Sequence, residues 1–230
     1  MLFLIPAYLS EESPVEYFAP SIKEYILKTD YFFVENEKTA RRFIKSVLPE
    51  KVQSTLRISL LNKHTDSTEY SKMITPCLSG MNVGLMSEAG CPGVADPGAV
   101  IVKLAHEKGI QVVPLVGPSS ILSAMMASGM NGHNFAFNGY LPIDSVERKN
   151  KLLQMESFGK KGTTQIFMDT PFRNQRLLEE IIQYCKFDSM LCIACNVTAK
   201  DEYIKTLPLA EWKKRKPDLN KKPAIFIFGK

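Results

Sequence analysis

The sequence predicts an α/β fold built on parallel strands, and three observations carry that prediction. Short runs rich in β-branched and aromatic residues alternate with helix-patterned segments, the signature of βαβ units. Two dense Gly/Pro loops, SEAGCPGVADPG at residues 87–98 and VGPSS at residues 116–120, each follow an apolar run, and the helical stretch between them is long enough to cross over between parallel strands. At 230 residues and 45% hydrophobic content, the chain can bury the core of one large domain or two small ones.

In chain order, FLIPAYL reads as the first strand, since it is too short for a membrane span and lacks the basic region and cleavage site of a signal peptide. A helix over residues 15–27, strand DYFFVE, a helix from Lys38, strand LRISLL, a helix from Thr68 and strand NVGLM follow. The helix opening at Ala99 presents apolar residues on one face and stops at Gly109, as a C-terminal glycine does. Strand IQVVPL then closes an N-terminal domain at about Leu115. After VGPSS, the methionine-rich helix SSILSAMMASGM reads as adaptable core rather than ligand surface. From Phe135, strands AFNGYLP, TTQIFMD, MLCIACN and PAIFIFGK separate two helices and a basic loop, which suits a second α/β domain.

Ten of the 13 glycines fall between residues 80 and 139, so sharp turns and close backbone approaches concentrate in one quarter of the chain. Loops at the carboxyl ends of parallel strands share one sheet edge, where open α/β folds bind ligands. The two Gly/Pro loops are therefore the first place to seek chemistry. Other candidates are weaker. Five cysteines cannot all pair, which fits reduced thiols and a cytoplasmic protein. Cys192 and Cys195 form a C-x-x-C, but it lies in a strand whose alternation sends the two sulfurs to opposite faces. His64, His106 and His133 form no ligand pattern, so no metal is expected. No apolar stretch is long enough to span a bilayer.

The net charge of +5 is uneven: residues 211–222, EWKKRKPDLNKK, hold six Lys/Arg against Glu211 and Asp218, or +4 of that +5. Arg148 and Lys149 belong to a second cluster, and Arg41, Arg42 and Lys45 to a third. Such runs are either solvated surface or a phosphate-binding face, and composition favours the first.

The run SEAGCPGVADPG, a helix, then GIQVVPLVGPSS and SGM resembles the ribosomal RNA ribose methyltransferase branch of the tetrapyrrole (corrin/porphyrin) methylase family, whose pattern is S-D-A-G-T-P-G-I-S-D-P-G followed by V-V-P-L-P-G-P-S-A. Matches continue in the same order. VENEKTARRFI resembles its A-E-D-T-R helix, NGYLPIDSVERKNKLLQM its G-F-L-P segment, MDTPFRNQRLLEEI its E-S-P-H-R element and the late CNVTAK its R-E-L-T-K. The chain departs from the pattern in having no glycine before Gly80, where the family has a Gly-rich opening loop, and in Glu88, where the branch has Asp.

The resemblance implies two α/β domains, residues 1–115 and 119–230, with S-adenosylmethionine in the inter-domain cleft. It assigns cofactor contacts to Ala7, Tyr8, Glu88, Gly90, Gly93, Val94, Ser119 and Ser120, and across the cleft to Met168 and Asn196. Glu88 is the candidate proton acceptor, with Asp96 next; hydrogen-bonding the cofactor or bracing its loop is the alternative role for Glu88. The implied acceptor is a ribose 2′-hydroxyl in small-subunit ribosomal RNA, met by Arg148, Lys149, Lys213, Lys214, Arg215 and Lys216. A tetrapyrrole precursor, or a non-catalytic RNA-binding or assembly module that kept the fold, are the other readings. The family also implies a homodimer, for which Phe32, Phe33, Phe226 and Phe228 are either interface or core.

Overall fold

The structure, a computed structural model, describes residues 1–62 and 65–230, so His64 lies outside the described residues. The chain divides into two compact units, Met1–Ser119 and Ser120–Lys230.

The first unit carries a five-stranded, wholly parallel sheet in the order β3-β2-β4-β1-β5, formed by β1 (Leu2–Leu4), β2 (Tyr31–Val34), β3 (Arg57–Leu60), β4 (Val83–Met86) and β5 (Val112–Pro114). Alternation of side chains sends Phe32 to one face, against α1 (Ser21–Leu27) and α2 (Glu37–Val47). Phe33 goes to the other, against α3 (Ser67–Met73), α4 (Thr75–Leu78) and α5 (Gly98–Glu107). Helix α2 shows why these segments fold as they do. Asn36 caps it by accepting from Lys38 N at 2.9 Å, and Ala40, Phe43, Ile44 and Val47 fall on its buried stripe.

Two expectations need correction here. The first strand is three residues, not seven, because Pro6 has no N–H to continue the ladder; Ala7 instead makes an antiparallel bridge to Gly90. The helix expected over residues 15–27 is a 3-10 turn, Val15–Tyr17, followed by α1, because Pro20 cannot sit inside a continuous helix and starts a new one.

The second unit opens with α6 (Ser120–Ser128) and holds a mixed sheet in the order β6-β7-β10-β8-β9. Its strands are β6 (Phe135–Tyr140), β7 (Thr164–Met168), β8 (Met190–Cys195), β9 (Tyr203–Pro208) and β10 (Ala224–Gly229), with β10 antiparallel to both neighbours. Helices α7 (Ser145–Lys160), α8 (Asn174–Tyr184) and α9 (Leu209–Lys214) cover one face, and α6 packs on β8, β9 and β10. The segment expected as a basic loop is partly α9, anchored by Trp212, whose buried Nε1 donates to Leu191 O at 2.9 Å. Strand β9 escaped the sequence pattern because YIKTLP is an edge strand with lysine facing out. Phe32, Phe33, Phe226 and Phe228 are all core, at 1% exposure or less, and offer nothing to an interface. Cys192 and Cys195 are free and buried; only Cys195 joins the helix-covered core, as the alternation requires. Burial pushes both thiols up, away from the reactive thiolate.

Candidate active site

Strand order in the first sheet decides which loops meet. Because β1 lies between β4 and β5, the loops leaving their carboxyl ends are neighbours at the centre of one edge. Ala7 and Gly90 exchange both backbone hydrogen bonds, at 2.9 and 3.2 Å. Gly117 in the third loop is pressed onto Pro6 in the first: a Cβ there would lie 2.4 Å from Pro6 Cβ, so only glycine fits. Cys91 Sγ donates to Pro118 O at 3.5 Å, joining the second loop to the third. The two Gly/Pro loops that the sequence singles out are thus fastened together through the first.

Within the loop after β4, Asp96 is the organiser. Its carboxylate accepts from Gly93 N at 2.8 and 2.9 Å and from Gly98 N at 2.6 Å, so its oxygens are committed to the loop. Burial pushes this carboxyl up, and the two amides pull it partly back. Gly93 sits at φ +85°, a conformation that L side chains avoid, and a Cβ there would meet no atom within 4 Å. Val94 is exposed beside it.

Glu88 is exposed but held from two directions. Its backbone N–H donates to Glu35 Oε1 at 3.0 Å, and its side-chain Oε1 accepts from Thr39 Oγ1 at 2.6 Å. Burial pushes the Glu35 carboxyl up, the Glu88 amide draws it down, and the charges of Asp96 and Glu88 add to the rise. A cleft of about 340 Å³ opens alongside, with Tyr8, Ser10, Thr39, Arg42, Ser87 and Glu88 in its wall. Tyr8 packs edge-on against Phe18 and Phe43, and its hydroxyl meets Ser46 Oγ at 3.1 Å. Glu35 and Thr39 were missed as site residues by sequence reasoning. Their signal was present, since both lie in VENEKTARRFI, around the Asn36 cap at the carboxyl end of β2.

In the second unit, Met168 ends β7 and Asn196 follows β8, on either side of the start of β10. They therefore share one sheet edge. Asn196 at φ 51° and Thr198 at φ 73° are left-handed without being glycine, and for a β-branched threonine this is strained backbone of the kind found at ligand sites. Asn196 Nδ2 donates to Asp201 Oδ2 at 2.7 Å, and Thr198 N to Glu202 Oε2 at 2.8 Å, which holds the turn. Ser119 ends the first unit, and Ser120 is the first residue of α6.

The basic residues separate into two kinds. Lys149, Lys213, Lys214, Arg215 and Lys216 are exposed, with Lys214 paired to Glu211 at 2.8 Å. Arg148 is not on the surface and is removed from the RNA-facing set. Its side chain is 6% exposed, its Nε and Nη2 donate to Glu180 at 2.6 and 2.8 Å, and its Nη1 donates to the carbonyls of Pro142 and Ile143. The cause is helical phase: Arg148, Leu152, Met155, Glu156 and Gly159 form the buried stripe of α7. Among the described residues, no group of three or more His, Cys, Asp or Glu side chains is placed to hold a metal, and no helix is long and apolar enough to cross a membrane.

The model of the family described as Tetrapyrrole (Corrin/Porphyrin) Methylases matches residues 16–213. The chain is 34% identical over 151 residues to the ribosomal RNA small subunit methyltransferase I of Vibrio cholerae, covering 66% of this chain and 51% of that protein. It is 31% identical over 170 residues to the protein of the same name from Haemophilus influenzae, covering 73% and 59%. The chain thus spans only about half to three fifths of the length of these relatives. Among solved structures it resembles the uroporphyrin-III-C-methyltransferase from Thermus thermophilus, with a TM-score of 0.59, 16% identity and 100% and 91% coverage. It also resembles the methyltransferase CobJ, with a TM-score of 0.61, 16% identity and 92% and 87% coverage. At that identity, the likeness speaks for the fold alone.

Proposed function

The chain belongs to the tetrapyrrole (corrin/porphyrin) methylase family, and from that premise we propose that it transfers a methyl group from S-adenosylmethionine to a ribose 2′-hydroxyl of small-subunit ribosomal RNA. The observation that carries this reading is the set of relatives named for ribosomal RNA methylation, matched at 34% and 31% identity over 66% and 73% of this chain. The resemblance to tetrapyrrole enzymes is a likeness of fold at 16% identity and supports no choice of substrate.

When bound, S-adenosylmethionine supplies a methyl group already activated on a sulfonium centre. The chain's own task is then to bind, orient and exclude water. The residues fit such a ligand at Gly93, where a Cβ would meet no atom within 4 Å and Val94 beside it is exposed, so a ligand can approach the loop closely, while Ala7 and Gly90, bonded to each other, hold the adjoining loops at small residues. Val94, Tyr8, Ser119 and Ser120, with Met168 and Asn196 of the second unit, complete the proposed contacts. Glu88, held by Thr39, accepts the proton of the acceptor hydroxyl as its oxygen attacks; Asp96 braces the loop instead, since its oxygens are occupied. Lys149, Lys213, Lys214, Arg215 and Lys216 meet RNA phosphates, and the protein works in the cytoplasm as a homodimer.

Transfer of tritium from labelled cofactor to undermethylated small-subunit RNA is the test, with a porphyrinogen as the competing acceptor. Labelling of the RNA ribose is expected. Labelling of the porphyrinogen alone, or calorimetric absence of cofactor binding, overturns the reading.

A further inference from the structure

Two aromatic side chains at the carboxyl end of α8 each carry an ammonium group over the ring. Lys149 Nζ from α7 lies 5.0 Å from the Tyr184 ring centroid, and Lys213 Nζ from α9 lies 5.1 Å from that of Phe187. The two basic clusters that are separate in sequence are thus brought to either side of one helix end. Between the rings, Cys185 turns into the core while Lys186 stays exposed. Backbone bonds fix the arrangement, Ala210 N donating to Phe187 O at 2.9 Å and Leu209 N to Ser189 O at 3.0 Å.

Among the described residues, neither Lys149 nor Lys213 has a carboxylate within ion-pair distance, and Lys186, also without one, shares its field with the exposed carboxylate of Asp188, which Lys160 binds at 2.9 Å. Phe187 is 55% exposed with Lys213 over its ring, so about half of this side chain is in reach of a ligand. An exposed aromatic ring flanked by cations matches one ligand chemistry especially well. A single-stranded nucleic acid offers a π-face and a phosphate in alternation, whereas an acidic protein surface would use the lysines and leave the ring idle.

We propose that this ridge binds a single-stranded stretch of RNA, with Phe187 stacking on a base and Lys149, Lys186 and Lys213 meeting phosphates. Tyr184 is partly buried against the core and serves to hold Lys149 in place. The proposal rests on the RNA reading above, and it goes further by naming a base-dependent contact. The ridge is built entirely from the second unit, so it holds RNA without using the Gly/Pro loops.

Fluorescence anisotropy with a short uridine-rich RNA strand, and with an abasic ribose-phosphate strand of equal length, tests it. Phe187→Ala should weaken the base-bearing strand about tenfold, leave the salt dependence unchanged and leave the abasic strand unaffected. Joint Lys149→Gln and Lys213→Gln should weaken both strands and lower the slope of log affinity against log salt by about 0.7 per lost contact. Phe187→Leu, which keeps the apolar packing without a π-face, should behave as Phe187→Ala, and unchanged Trp212 fluorescence reports an intact unit. Equal binding of the base-bearing strand by Phe187→Ala and the parent overturns the ridge, as does polyglutamate competing as well as RNA. If this occurs while the parent still labels ribosomal RNA, the ridge falls and the methyltransferase reading stands; absence of both binding and labelling removes both.

Discussion

Replacing Glu180 by Gln should destabilise the second unit more than any exposed charge change in it. Glu180 Oε2 accepts from Arg148 Nε at 2.6 Å, and Oε1 accepts from Arg148 Nη2 at 2.8 Å and Arg176 Nε at 3.0 Å. With side chains only 6% and 11% exposed, Arg148 and Glu180 are little screened. Glutamine would turn an amide donor toward a guanidinium and leave the Arg148 charge with two carbonyls for company. Leaving one member of a buried pair uncompensated costs about 3–5 kcal/mol, while the Arg176 contact, 68% exposed on the arginine side, adds at most about 1 kcal/mol. The single tryptophan, Trp212, lies buried in this unit, so its fluorescence in urea reads the unit directly. With a slope of about 2 kcal/mol/M, the midpoint should fall by about 2 M. Joint Arg148→Met and Glu180→Leu should recover most of that loss, because two apolar side chains of similar size bury no orphan charge. The pH dependence has a defined sign. Arg148 holds the Glu180 carboxyl below its ordinary range, so its contribution is complete above about pH 4.3 and is lost as pH falls through the lowered value; Glu180→Gln should flatten that acid limb. A midpoint shift under about 0.5 M for Glu180→Gln, equivalent to about 1 kcal/mol, would refute the buried-pair argument.

Thr39→Val removes the hydroxyl that donates to Glu88 at 2.6 Å; we expect about a tenfold fall in kcat with cofactor affinity unchanged, restored by Thr39→Ser, in a tritium-transfer assay, corresponding to about 1.4 kcal/mol for a bond to a charged acceptor. Gly93→Val should weaken cofactor binding strongly, because φ +85° strains the loop under any L side chain, while the open space beside it leaves the packed core untouched and the protein folded; calorimetry showing parental affinity in a folded variant removes Gly93 from the site. Gly117→Ala should also lower cofactor affinity, because its Cβ would force the third loop off Pro6 by more than a van der Waals contact allows. For assembly, light scattering should give twice the 25.9 kDa chain mass at micromolar concentration, and the mass of one chain would count against the dimer.

The parallel α/β character was legible because it rests on local signals. Strand runs such as YFFV are short and apolar, and Gly109 ends its helix through its own backbone preference. The two Gly/Pro loops were legible for the same reason, since glycine density marks where backbone must turn. Prolines set finer boundaries that periodicity alone overran, as Pro6 and Pro20 did in the first unit. What the sequence could not determine was which distant residues meet. Strand order puts β1 between β4 and β5, and so lets Ala7 pair with Gly90, a contact between positions with no pattern in common. Burial of charge was equally invisible: Arg148 and Lys149 are neighbours in one basic run, yet helical phase sends Arg148 to Glu180 in the interior and Lys149 over Tyr184 at the surface. A charge run specifies how many charges a segment carries, whereas their destination depends on the face each residue occupies and on the partner a separate helix supplies.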